Sequence, residues 1–180
     1  MPDRFPNDVL FPFTVDGVHC KTFEPMHPTM PMDTEFSSHK FGKKAGLAYE
    51  LGFSTYEQKL YWMHGPRKGG CNDKKMFTTG GLQARLLAQG KKAITDAGYR
   101  GVQGGGVSTP NKLDTPKVKE FKRRARARHE NFNGRIKNFG VLSQTFRHKK
   151  NRLEKHQTAF EAVCVIVQYQ LENGSPLFEI

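Results

Sequence analysis

Phe11-Pro-Phe-Thr-Val-Asp-Gly-Val-His-Cys-Lys-Thr-Phe23 alternates loosely between apolar and polar residues and is rich in strand formers, which predicts a β-strand over 11–23. Asp16 stands inside it, between Val15 and Gly17. A carboxylate within an apolar strand is costly unless something pairs with it. This strand therefore marks a candidate site as well as a sheet.

Outward from it, residues 1–10 read as an irregular lead-in and residues 24–43, with three Pro, as a long loop. Ala45–Phe53 and Gln58–His64 are apolar runs joined by Ser54-Thr-Tyr-Glu57, a hairpin signal. Gly65-Pro-Arg-Lys-Gly-Gly70 reads as a loop. Gly81–Gln89, with Leu82, Leu86 and Leu87 on one side and Gly90 after it, predicts a short helix. Lys91–Thr95 predicts a short strand ending at Asp96, and 96–101 a turn. Gly104-Gly-Gly106 lacks a strand–GxGxxG–helix context, which excludes a dinucleotide site. Val107–Pro110 suggests an edge strand. Thr115-Pro116 supplies an N-cap and a first-turn proline for a long helix that Gly140 would end. A last helix is expected over about 151–173, with Gly174 ending it. The predicted fold class is α/β: a mixed sheet with helices packed against it, formed by 11–173 as one domain, with 174–180 as a tail.

Composition narrows the function. Twenty Phe, Tyr and Trp among 180 residues are too many large apolar groups for a disordered chain. No apolar run is long enough to span a membrane, and the N-terminus has no secretory pattern. Three scattered Cys argue against a disulfide framework, against a structural zinc site and for a reducing compartment. Of a net charge of +12, residues 112–155 hold +11, with fifteen Lys/Arg against four Asp/Glu. A field so concentrated attracts polyanions, DNA or RNA first. RNA ranks last, because Phe121, Phe132 and Phe139 fall on the apolar stripe rather than among the basic residues.

Glu130 lies in the basic helix, about 140° from Ala125 and thus away from the apolar stripe, with Arg123, Ala127, Gly134 and Lys137 around it. The mid-helix Gly134 suggests close approach of another element to that face; the alternative is a surface acid offsetting arginines. Asp16 and Asp96 from two strands and Glu130 from a helix would make an oxygen-rich site suited to two Mg²⁺ or Mn²⁺ ions.

Thr14-Val-Asp-Gly-Val-His19, Ile94-Thr-Asp-Ala-Gly-Tyr-Arg-Gly101 and Arg126-Ala-Arg-His-Glu-Asn-Phe-Asn-Gly-Arg-Ile-Lys137 resemble the three blocks of DDE-superfamily endonucleases, Harbinger-type transposases and transposase-derived nucleases in particular. Gly70-Cys-Asn-Asp73 and Ser108-Thr-Pro110 resemble two lesser landmarks. The likeness spans about residues 10–172. It implies a ribonuclease-H-like fold and Mg²⁺-dependent DNA cleavage and strand transfer, with Asp16, Asp96 and Glu130 as catalytic metal ligands. Arg123, Arg126, Arg128, Arg135 and Lys137 would meet DNA phosphates, as would the Arg147-His-Lys149-Lys150 run, which also resembles a nuclear-localisation patch. The expected partners are DNA, a separate DNA-binding protein and a second copy of the chain, in the nucleus, or in the cytoplasm of a prokaryote. Family transposases carry a helical DNA-binding region ahead of the first catalytic strand, where this sequence has about ten residues. The competing expectation is a domesticated or truncated DNA-binding protein that keeps the fold without turnover. Asp73 reads as a turn or helix cap rather than an auxiliary acid, His19 and His129 as structural, and Tyr61 and Trp62 as core.

Overall fold

The computed structural model describes residues 10–23, 34–147 and 153–180. Its centre is a five-stranded sheet. Strands β1 (Phe13–Lys21), β2 (Gly46–Ser54) and β3 (Leu60–Lys68) form an antiparallel meander, with Gly17 opposite Glu50. Strands β4 (Ala93–Ile94) and β5 (Val107–Ser108) add in parallel on the other side of β1, giving the order β3-β2-β1-β4-β5. Helices α1 (Asp73–Thr79) and α2 (Leu82–Ala88) precede β4, and α3 (Pro116–Lys137), α4 (Gly140–Ser143) and α5 (Leu153–Glu172) follow β5. This is the ribonuclease-H-like α/β arrangement: a mixed sheet with helices on both faces.

The period of two in β1 divides the core. Val18 and Cys20 face Phe132, Ile136, Phe160 and Val167 of α3 and α5. Phe13 and Val15 face Phe77, Leu82, Leu86 and Tyr99. Tyr49 stacks on Phe160, and its hydroxyl meets His156 Nδ1 at 2.7 Å. Thr115 Oγ1 accepts from Val118 N and Pro116 opens α3, as the sequence predicts.

Several expectations are corrected. The strand β3 runs through Gly65-Pro66 to Lys68, where a loop is expected; β3 is an edge strand, and an edge tolerates a residue without an N–H. Gly140 opens α4 rather than stopping α3, which is capped at Asn138. The 174–180 tail docks on the domain. Leu177 is buried in the core and exchanges two hydrogen bonds with the Gln58 side chain, while Arg135 binds the carbonyls of Ser175 and Pro176.

Arg128 also departs from expectation. Helix geometry puts it about 60° from Ala125, at the edge of the apolar stripe, and it is only 3% exposed. Its guanidinium donates to Thr55 O and Glu57 O and lies over the Phe53 ring, so it braces the β2–β3 turn and is not available to phosphates. Arg128→Ala would leave two carbonyls without their donor. It is expected to destabilise the chain by about 2–4 kcal/mol in chemical denaturation, while DNA affinity of the folded fraction stays unchanged.

Candidate active site

The parallel pairing of β1 and β4 builds the site. Phe13 pairs with Ala93 and Thr14 with Ile94. Asp16 and Asp96 each lie two residues further on, so the two acids stand at the same level, Asp16 within β1 opposite Leu51 of β2 and Asp96 just past the end of β4. The carboxyl end of a strand, where Asp96 stands, is where open α/β sheets carry ligands. Asp96 has left the ladder and caps the 3₁₀ turn Ala97–Tyr99, its Oδ1 accepting from Gly98 N at 2.9 Å. The two carboxylate oxygens of Asp16 accept from Gly17 N and from Asn133 Nδ2, both at 2.8 Å.

Helix α3 is laid along β1 by two hydrogen bonds one helical turn apart. His129 Nδ1 meets Thr14 Oγ1 at 2.8 Å, and Asn133 reaches Asp16. This matches residues i and i+4 of the helix to residues i and i+2 of the strand. Glu130, next to His129, consequently comes to the cleft beside Asp16 and the end of β4. Asp16, Asp96 and Glu130 line one cleft of about 240 Å³ together with Thr14, Lys40, Arg126 and His129. The approach suggested by Gly134 is not present: a Cβ there would meet no atom within 4 Å.

Lys40, Asn133 and the Thr14–His129 pair were not among the sequence-predicted site residues. Asn133 carried a signal, since a poor helix former within a helix asks for a partner. Lys40 carried none, because it follows a stretch without periodicity. Its ammonium donates to Gly17 O at 3.1 Å.

The predicted cap is also redistributed. Asn72, not Asp73, caps α1 by accepting from Lys75 N, and Asp73 is the first helical residue. Burial raises the Asp73 pKa, the charges of Asp16 and Asp96 push the same way, and Lys40 and His39 oppose them. Glu50, fully buried, is raised to about 7, first by burial and then by Asp73, against the hydrogen bond from Trp62 Nε1 at 2.9 Å.

The donor set is hard: carboxylate oxygens with Glu130 and Asp96 on the exposed side, as Mg²⁺ or Mn²⁺ requires. It is open rather than closed. Among the described residues no three His, Cys, Asp or Glu stand in the arrangement that holds a metal ion.

Beside the cleft, and sharing Arg126 with it, lies a basic pocket of about 430 Å³ lined by Arg100, Lys112, Lys119, Lys122, Arg123 and Arg126. Asp114 neutralises Lys122 at 2.8 Å, and Glu120 forms a two-pronged pair with Arg123. Arg126 Nε is buried with no hydrogen-bond partner among the described residues. Of the other basic residues expected to meet DNA, Lys137 and Arg147 are exposed, Arg135 is engaged by the tail, and Lys149 and Lys150 lie outside the described residues. Tyr61 and Trp62 lie half-buried on the edge strand, packed against the core cluster of Phe13 and Phe77, with Tyr61 bonded to Glu57 and Trp62 to Glu50.

An acid within the central strand, a second just past the end of its parallel neighbour, an acid-bearing helix across from them and a basic pocket alongside define a nuclease-type ribonuclease-H-like domain. The chain belongs to the DDE superfamily endonucleases, whose family model matches residues 15–168. Members of that superfamily cut DNA with divalent metals. Among curated proteins and among solved structures, nothing matches the chain.

Proposed function

We propose that the chain is a divalent-metal-dependent DNA endonuclease or strand-transfer domain of the Harbinger type, with Asp16, Asp96 and Glu130 as its metal-holding acids. The observation that carries this reading is the shared level of Asp16, within β1, and Asp96, just past β4, with Glu130 on the same cleft. Bound cations would supply the charge that activates an attacking oxygen and stabilises a leaving oxygen at the phosphodiester. The protein's own residues do the rest. Gly17 N and Asn133 fix Asp16, Gly98 N fixes Asp96, and α3 carries Glu130 to the rim. Arg126 and the basic pocket hold backbone phosphates beside the acids, positioning DNA without reading its sequence. The test is Mn²⁺ calorimetry on the wild type and on Asp96→Asn with Glu130→Gln. Binding by the first and loss in the second supports the reading, and no binding by the wild type overturns it.

One observation favours a second reading, a DNA-binding protein that keeps the fold without turnover: the acids do not already stand as a metal cage. Both readings require the basic pocket. Replacing Lys112, Lys119 and Arg126 by Ala is expected to lower the slope of log affinity against log salt by about three for duplex DNA. The same triple change at Lys59, Lys92 and Lys155, all exposed and elsewhere on the chain, should lower it by less than one. Anisotropy titrations between about 50 and 200 mM salt decide it.

A further inference from the structure

Asp73 is an acid that the triad leaves unused. Its carboxylate is pressed against β1 at Gly17, the residue after Asp16. A Cβ on Gly17 would stand 2.3 Å from Asp73 Oδ1, so only glycine leaves room for it there. Asp73 Oδ1 is buried, and no hydrogen bond or ion pair satisfies it among the described residues. Nor does Asp73 serve the helix, since Asn72 is the cap.

Two further observations point to a cation. The Tyr99 hydroxyl is fully buried with no hydrogen-bond partner among the described residues, and the charges of Glu50, Asp73, Asp16 and Asp96 all push its pKa up after burial. It therefore marks a pocket of negative charge behind the cleft. Lys40 answers that charge. It exerts the largest opposing influence on Asp73, donates to the carbonyl of Gly17, and lines the cleft of the three triad acids.

We propose that Asp73, outside the cleft, is a positioning residue whose charge backs the Asp16 side of the cation site through Gly17, and that the Lys40 ammonium stands in for the cation while none is bound. The proposal rests on the triad reading and names two residues outside it. The Asp73 charge draws the divalent ion to the Asp16 side of the cleft. With a divalent ion held there, the Lys40 ammonium would no longer be the group that answers this charge. Gly17 is part of the device, because its missing side chain is what lets Asp73 reach the strand.

The test is Mn²⁺ calorimetry with thermal unfolding, in chelator and in Mn²⁺. In chelator, Asp73→Asn removes a buried acid that other acids repel, so its melting temperature should equal or exceed that of the wild type. Its Mn²⁺ affinity should fall about 10- to 100-fold, the range for residues that position metal ligands. Lys40→Met should shift affinity the other way, tightening Mn²⁺ binding several-fold. A purely structural Asp73 would lower the melting temperature in chelator as well, and that outcome overturns the proposal. So does wild-type Mn²⁺ affinity in Asp73→Asn, or unchanged or weaker binding in Lys40→Met. If the wild type binds Mn²⁺ and the triad variant does not, the triad reading survives whatever Asp73 shows; if the wild type does not bind, both fall together.

Discussion

Plasmid nicking in Mn²⁺ is expected to drop by about 10³-fold or more in Asp96→Asn and, separately, in Glu130→Gln. Metal clamping of a phosphodiester contributes several kcal/mol to the transition state, and about 4 kcal/mol is a factor of 10³. Each substitution keeps the shape of the side chain and removes the charge that holds the ion. The fold should survive both. Asp96 and Glu130 are exposed, and Asp96 has one local hydrogen bond, from Gly98 N, which an amide oxygen can still accept. Asp16→Asn is a poorer probe: it would set an amide beside the Asn133 amide and disturb the seat of α3 on β1. The assay follows conversion of supercoiled to open-circular DNA, with chelator as the blank. Near-wild-type nicking in either variant would remove that acid from the site, and retention in both would return the chain to the non-catalytic DNA-binding reading. Loss in both, with unfolding curves unchanged, is the result the cleft predicts.

Much of this site was legible before the fold was known, though unevenly. The alternation around Asp16 gave its strand, and the Thr115-Pro116 start fixed the register of α3. Helix arithmetic turned Glu130 away from the stripe, but angle alone cannot say what lies opposite. That depended on the parallel pairing of β4 with β1, a two-residue ladder with no sequence signature of its own. The sequence marks a turn or helix cap at Asp73 but not the extent of α1, because only Met76 and Phe77 of its seven residues are buried, too few to show a period. The basic run was read as one surface. Lys122 and Arg128 sit about 60° on either side of Ala125, and both are buried. Their long stems pack along the core while their charges find partners, in Asp114 for one and in the carbonyls of Thr55 and Glu57 for the other. Charge counted along a sequence overstates what DNA can reach.

The second large effect is on stability and comes from buried histidines. His19, His129 and His156 are at most 2% exposed, and each is held at about 4, below the ordinary histidine value of 6.5. Burial is the leading cause in all three; Lys40 adds to it at His19, and Asp16 opposes it at His129. Between about pH 6.5 and 4 the unfolded chain therefore binds up to three protons that the folded chain refuses. Stability rises with pH wherever the unfolded state holds more protons, so it is lost as pH falls through this window. Glu50 runs the other way: with its folded value raised to about 7, it favours folding as pH falls toward the unfolded value of 4.5. The raised Asp73 acts in the same direction as Glu50, so the net is at most about two protons, or roughly 2.7 kcal/mol per pH unit. Two pH units then consume about 5 kcal/mol, the lower end of the stability of a typical domain. Cooperative unfolding near pH 4.5 to 5 is the expected result, read by circular dichroism in chelator. Glu50→Gln removes one of the two opposing carboxyls, so it should stabilise the chain at pH 8 and steepen its acid loss. His156→Gln, which takes one proton from the balance while leaving an amide near the Tyr49 hydroxyl, should flatten the acid limb by about half. An acid limb of unchanged slope in both variants would mean that these groups do not govern it.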